Sequence, residues 1–450
     1  MVILFMNVMQ FVFILFFAMA SGGSAYAAEA SCKTAECHSR VGGTQNFHAP
    51  VKDEDCVACH KQTNPAHPLK GAKSFVLTSE GAALCYQCHD TFGKKKVVHP
   101  PVKDGECAYC HNPHGGVERF LLGVGSDQTQ LCMGCHDPAP FKQPFAHGPV
   151  AVGECTKCHD PHESKEKALL KGAVWETCIK CHTDFLKTLQ EATFIHNPVK
   201  GGPCTACHNP HGSAVPQLLK KKTPDLCVGC HKNLGKKLKA KIVHKPLLQS
   251  GGCSTCHSPH FSKAPHLLAD QEKNLCLGCH GTDKLGNPPL HNIKKEIEGK
   301  KYLHGPVAKG ECNACHDPHG SDNFRLLRGS YPPDIYVPYK DGTYEICLKC
   351  HEKNMLRFAD TTIYTKFRNG NRNLHYVHVV NSRKGRTCRI CHEPHASNGE
   401  KLITKEGIKF GDWKIPINFQ ITPTGGSCAP GCHRKFRYDR DKPVDLKEDK

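Results

Sequence analysis

The sequence predicts a mostly irregular chain of short α-helical pieces, built as an elongated tandem repeat whose core is not made of side chains. Three observations predict it. All 30 cysteines of the 450 residues fall in short Cys–gap–Cys–His units. One two-motif unit recurs with a period of about 48 residues. Forty glycines and 31 prolines punctuate the chain too often for long helices or strands. Its 38% apolar content includes the cysteines and an apolar leader, and only two tryptophans are present. A chain long enough for two or three ordinary domains therefore lacks the material for an ordinary core.

The leader comes first. Residues 2–20 are almost continuously apolar and are followed by Ala25-Tyr26-Ala27, an A-x-A cleavage pattern. Residues 1–27 are read as a secretory signal peptide. They carry no lysine or arginine ahead of the apolar run, which leaves retention as an N-terminal anchor as the alternative. Beyond them no apolar run is long enough to span a bilayer.

The cysteine motifs follow. Thirteen are CxxCH, the spacing of haem c attachment, in which two thiols add across the haem vinyl groups and the adjacent histidine ligates the iron. They are Cys56/Cys59/His60, Cys85/Cys88/His89, Cys107/Cys110/His111, Cys132/Cys135/His136, Cys155/Cys158/His159, Cys178/Cys181/His182 and Cys204/Cys207/His208, then Cys227/Cys230/His231, Cys253/Cys256/His257, Cys276/Cys279/His280, Cys312/Cys315/His316, Cys347/Cys350/His351 and Cys388/Cys391/His392. Two are stretched, Cys32/Cys37/His38 and Cys428/Cys432/His433. Disulfide pairing gives no reason for a histidine after every second cysteine. Zinc sites place their ligands in separated pairs, not contiguous triplets. The expected cofactor load is about fifteen covalent haems, whose apolar faces would supply the missing core.

The repeat reads His, Pro-Val, Gly, CxxCH-x-Pro-His-Gly, a spacer ending in Leu-Cys, and a second CxxCH, as in residues 99–136. Residues 28–291 hold the leading motif and the regular repeats, 292–433 hold two longer-spaced repeats, and 434–450 form a charged tail expected to fray. The insertions at 321–345 and 352–373 read as surface loops or short caps. The motifs suit one or two helical turns, and lysine-rich residues 235–241 and 292–301 suit short solvated helices. No strand alternation persists long enough to predict a sheet.

Seventeen histidines lie outside the motifs, against fifteen irons that each need a second ligand. Fourteen occupy repeated places: upstream His48, His99, His147, His196, His244, His304 and His378, and downstream His67, His114, His162, His211, His260, His319 and His395. The fifteenth is His291 or His375, with His266 and the other as spares. A Pro-His histidine sits three residues after the motif histidine and cannot reach the opposite face of the same haem. It is expected to ligate a neighbouring one, which ties folding to haem loading.

The formal charge of +18 is not an anion-binding signal. Two propionates per haem would add roughly 30 negative charges, offset by about one positive charge per ferric iron, so no nucleic-acid partner is expected.

The repeated unit resembles the doubled-CxxCH multihaem cytochromes, in the company of decahaem outer-membrane conduits and the cytochromes of metal-reducing bacteria. The resemblance covers nearly all of residues 32–433, and the ending at Cys428-Ala-Pro-Gly-Cys432-His433 with Tyr438-Asp439-Arg440 shares it. Fifteen motifs exceed the decahaem pattern. The likeness implies bis-histidine haems stacked along a chain in an exported protein that is periplasmic, outer-membrane-associated or extracellular. It implies electron exchange with redox partner proteins, with an outer-membrane porin or with an extracellular metal or mineral. Two alternatives stand beside this conductor: a multihaem reductase with one open iron, for which the stretched motifs at Cys32 and Cys428 are the places to look, and a self-assembling filament subunit. No motif ends in lysine, as some nitrite-reducing haem sites do.

Overall fold

The computed structural model describes residues 32–34, 37–41, 45–125, 127–283 and 290–445. The leader read at 1–27 lies outside these residues, as does the end of the tail at 446–450. The described chain forms two compact units, one ending at Cys135 and one beginning at His136.

Secondary structure comes in pieces of a few residues, set by the punctuation of the repeat. The first motif of each repeat lies on a single 3-10 turn, as at Cys56–Ala58, Cys107–Tyr109, Cys204–Ala206 and Cys312–Ala314. The second follows a short α-helix, as at Ala82–Cys85, Val174–Ile179, Asp225–Val228 and Glu345–Leu348. In both settings the histidine N–H returns to the carbonyl of the cysteine four residues earlier, from His208 to Cys204 at 3.1 Å and from His231 to Cys227 at 3.0 Å. That spacing stacks the first thiol and the imidazole on the same side of the turn.

The upstream histidine has extended backbone and precedes a helix of four or five residues with proline in its first two positions: Ala49–Lys52, Pro100–Lys103, Gly148–Ala151, Asn197–Lys200 and Gly305–Lys309. Proline presets φ there, and its missing N–H is one the helix start leaves unused. A left-handed glycine then redirects the chain into the CxxCH turn, with φ of 79° at Gly105, 71° at Gly153, 74° at Gly202 and 78° at Gly310.

Five first motifs are followed by a loop that folds back on the motif through two successive left-handed residues, none of them glycine. The pairs are Ala168-Leu169, Gln217-Leu218, His266-Leu267, Arg325-Leu326 and Lys401-Leu402. A buried serine after the Pro-His holds the loop closed: Ser213, Ser321 and Ser397 donate to the carbonyls of Leu219, Leu327 and Ile403 at 2.5–2.6 Å.

Within each unit, two-residue antiparallel ladders join one repeat to the next. The pair before an upstream histidine bonds to the pair after the following repeat's Pro-His: Asn46–Phe47 to Gly115–Gly116, Phe145–Ala146 to Gly212–Ser213, Phe194–Ile195 to Phe261–Ser262, Ile242–Val243 to Gly320–Ser321 and Tyr302–Leu303 to Ala396–Ser397. Sheet structure is thus present where none was expected. It is too short to leave an alternation pattern.

Buried apolar side chains among the described residues begin only at Leu247. They concentrate in two clusters near the C-terminus, Tyr331, Tyr344, Leu356 and Val379 in one and Ile390, Ile415 and Ile417 in the other. The insertions read as surface loops therefore supply a small core, because their few large apolar residues meet one another in space. Their hairpin Arg368–Asn369/Arg372–Asn373 leads into the helix Leu374–Val379, which carries His375 and His378. Asn373, wholly buried, caps that helix and donates to the carbonyls of Met355 at 2.7 Å and Phe358 at 2.8 Å. The tail also departs from expectation. Phe436–Asp439 pairs along its whole length with Gly425–Cys428 and does not fray, since Tyr438 turns inward while the charged neighbours face out. The lysine-rich stretches form helices at Lys232–Lys237 and Ile293–Ile297.

Candidate haem sites

Thirteen motif histidines each face a second imidazole across a constant gap. In the unit ending at Cys135 the pairs are His38 with His67, His48 with His89 and His60 with His114, with ring centroids 5.7, 5.8 and 6.1 Å apart. In the unit from His136, His147 faces His182, His159 faces His211, His196 faces His231, His208 faces His260, His244 faces His280, His257 faces His319 and His304 faces His351, at 5.9–6.2 Å. Near the C-terminus His316 faces His395, His375 faces His392 and His378 faces His433, each at 6.5 Å. Two imidazoles ligating one metal from opposite sides, with metal–nitrogen bonds of about 2.0 Å, place their ring centres roughly 6 Å apart.

The pairing follows a rule. In twelve of the thirteen pairs an upstream histidine faces the second motif of its own repeat or a Pro-His histidine faces the preceding first motif; the exception is His375, which faces the first-motif His392. Both partners of one repeat are therefore held by one ladder: His196 N–H donates to the carbonyl of His260 at 2.9 Å, and His304 N–H to that of His395 at 3.0 Å.

Hydrogen bonds fix which nitrogen is offered. A carbonyl only accepts, so a ring nitrogen bonded to it carries the proton and the other keeps its lone pair. The first-motif histidines His159, His208, His257, His316 and His392 donate through Nδ1 to the first left-handed residue of their own loop at 2.7–3.0 Å. His48 and His196 donate through Nδ1 to the Pro113 and Pro259 carbonyls, each at 2.9 Å. His378 donates to Leu374 at 2.7 Å, and His67 and His375 bond through Nδ1 to the hydroxyls of Ser74 and Thr365, each at 2.8 Å. Nε2 is left for a metal. Burial, reinforced by the facing rings, lowers the pKa of His114, His211 and His260. His375 is pushed down to about 4 by burial and then by His392 and His378. These imidazoles are neutral, the form that binds metal.

All 30 thiols are free of disulfides. The first cysteine of a second motif is hydrogen-bonded to the first cysteine of the next repeat in the pairs Cys85–Cys107, Cys178–Cys204, Cys227–Cys253, Cys276–Cys312 and Cys347–Cys388. Successive attachment points therefore adjoin. The Tyr344 hydroxyl, buried beside Cys347 and Cys388, is an orphaned polar group.

The two thiols of a motif, alike in the sequence reading, differ here. Cys59, Cys88, Cys181, Cys207, Cys230 and Cys350 donate their N–H to the carbonyl of the first cysteine at 3.2–3.3 Å. Cys279 lies within the helix Glu272–His280, and Cys37 N–H goes to the Thr34 hydroxyl at 3.0 Å. Their thiols take no part in the described hydrogen bonds that join one attachment point to the next. Cys37, Cys88, Cys181, Cys230, Cys279 and Cys350 are exposed, and Cys59 and Cys207 are half-buried. Position on the turn is the reason. At 3.6 residues per turn, the residue directly before the histidine points about 100° away from it. The second thiol therefore turns aside from the imidazole, while the first lies over it and meets the next repeat.

Of the two histidines left open for the fifteenth place, the structure brings His375 to a motif histidine. His291 instead bonds through Nε2 to Glu296. His266 serves through its backbone, its carbonyl accepting from His257 at 3.0 Å. His99, His111, His136 and His162 hold equivalent places in the repeat. Sequence reasoning missed the loop serine, although its signal, Pro-His-x-Ser, recurs five times from Ser164 to Ser397. It also missed Glu296, which carries no repeated signal.

A family model described as the doubled CXXCH motif matches residues 48–94, 99–141, 147–187, 196–236, 244–285 and 304–356, more than half of the chain. The chain belongs to the multihaem c-type cytochromes. Its doubled motifs imply covalently bound haem c, many to the chain. The six matches cover the cytochrome's first six repeats, and the seventh, with its stretched Cys428/Cys432 motif, lies beyond them. No curated protein matches the chain. The residues present fit the group. Two free thiols precede each motif histidine, and among the described pairs thirteen motif histidines face a second imidazole at bis-ligation distance.

Proposed function

We propose that this cytochrome conducts electrons along about fifteen bis-histidine haems and transforms no substrate. The observation that carries the reading is the facing of thirteen motif histidines by a second histidine. Haem c supplies reversible one-electron chemistry at iron, and an iron with two histidine ligands offers no site for substrate. The chain's own residues do the rest. Cysteines tether, motif and second histidines clamp from two sides, and the ladders lock each pair of second ligands into one backbone unit. The stretched motifs at His38 and His433 also face a second histidine, His67 and His378, which supports conduction over the open-iron reductase.

The apolar leader and covalent haem support export, with periplasmic, outer-membrane-associated or extracellular residence. The partners proposed are redox proteins, an outer-membrane porin or an extracellular metal or mineral acceptor, with self-assembly as a further mode. The deciding experiment is the reduced spectrum of the holoprotein with and without carbon monoxide, at measured haem content. An unchanged spectrum at about fifteen haems per chain is expected. A change worth one haem or more would replace conduction with catalysis at an open iron.

A further inference from the structure

His395 differs from the other second ligands in what holds its outer nitrogen. Its Nδ1 lies 3.1 Å from Glu296 Oε2, and among the hydrogen bonds described for these histidines this is the one made to a carboxylate. The others go to backbone carbonyls or to the hydroxyls of Ser74 and Thr365. The carboxylates beside His162 and His319 stand farther off, at 3.9 and 3.6 Å.

Glu296 is placed for this bond by its own piece of structure. The spacer between His280 and His304 has 23 residues, against 12 between His231 and His244. The longer one forms the helix Ile293–Ile297, capped by the Asn292 side chain and pinned by buried Ile297. The other carboxylate oxygen of Glu296 takes the ring of His291, which is not brought to a motif histidine. The carboxylate of Glu296 thus bridges the two rings, one oxygen to each. Glu393 approaches His395 Nδ1 only to 3.9 Å.

We propose that Glu296, anchored by His291, is the residue that lowers the reduction potential of the haem tethered by Cys312 and Cys315, by accepting a hydrogen bond from the Nδ1–H of its second ligand His395. The inference rests on His395 being that ligand. An imidazole donating to a carboxylate is a more basic ligand than one donating to a carbonyl, and it favours the ferric over the ferrous iron. One electron is gained or lost at the iron, no bond breaks, and the Nδ1 proton stays where it is. The bond lowers the potential of that one haem relative to the same site without it.

The test is a spectroelectrochemical titration of the loaded holoprotein. In Glu296→Gln, one haem's share of the amplitude should move to higher potential. A second-shell bond is worth about tenfold to hundredfold, or about 60 to 120 mV for one electron. Glu393→Gln should leave the curve in place. An unmoved curve in fully loaded Glu296→Gln overturns the proposal, as does an equal shift in Glu393→Gln. Should Glu296→Gln lose a haem, His291→Ala keeps the carboxylate while freeing it, and absence of an upward shift there overturns the proposal as well. His395→Ala separates the two readings. If it opens no carbon monoxide site, His395 is not the ligand; if it does and Glu296→Gln still titrates like the parent, the tuning role alone fails.

Discussion

A histidine whose Nδ1 proton is committed to a carbonyl has one lone pair left, and the direction of that lone pair is then a property of the backbone. The three histidines outside the repeat pattern differ in what holds them. His375, buried and bonded to Thr365, faces His392, so His375→Ala should expose one carbon monoxide-binding haem in the reduced protein. His291→Ala and His266→Ala should expose none, because one ring is held by a carboxylate and the other residue acts through its carbonyl. The same scale explains the loop serine. Ser213 donates to Leu219 and accepts from Val215 N–H at 3.0 Å, so Ser213→Ala strands two groups in a buried loop. A cost of about 1–3 kcal/mol is expected in the denaturation midpoint of the holoprotein.

Among the elements, the short helix and its exit turn carry most of the geometry. Gly202 has φ of 74°, and a Cβ there would stand 2.7 Å from Trp175 Cβ. Gly202→Ala should destabilise the fold by more than about 1 kcal/mol, whereas Gly148→Ala, with negative φ and nothing within 4 Å, should be close to neutral. Thermal melts of the two variants compare them directly. At this scale the sequence was legible where a signal is contiguous. The motifs, their helical turns and the fourteen repeated histidines follow from spacing alone. The pairing does not, because it is made by ladders such as Phe145 with Ser213, 68 residues apart and two residues long. Nor did the left-handed positions announce themselves, since Ala168, Gln217, His266, Arg325 and Lys401 share no side-chain character. Tyr331, Tyr344 and Leu356 lie scattered in polar sequence, and only their convergence makes a core of what reads as loop.

For the whole molecule, the distribution of buried apolar side chains predicts how the haem-free chain behaves. None is buried among the described residues of the unit ending at Cys135, while the two C-terminal clusters bury seven between them. Protein made without haem attachment should therefore show little amide protection through residue 135 and residual protection between 331 and 438, measured by hydrogen exchange. Uniform protection along the chain would show that side chains alone suffice to fold it.

The borrowing rule also governs how such an array can grow. Every repeat lends a Pro-His histidine backward, so an internal repeat can be duplicated or removed in register and the seam heals itself. The far end is different. The first-motif histidine of the 378–433 repeat, His392, instead faces His375, on the helix Leu374–Val379 that directly follows the 352–373 insertion. With its partner drawn from ahead of it in the chain, His392 needs no following repeat. Excision of residues 196–243 should leave a shorter cytochrome, lacking two haems, whose remaining haems still bind no carbon monoxide. Truncation after residue 373 should leave one iron, that of His316, open.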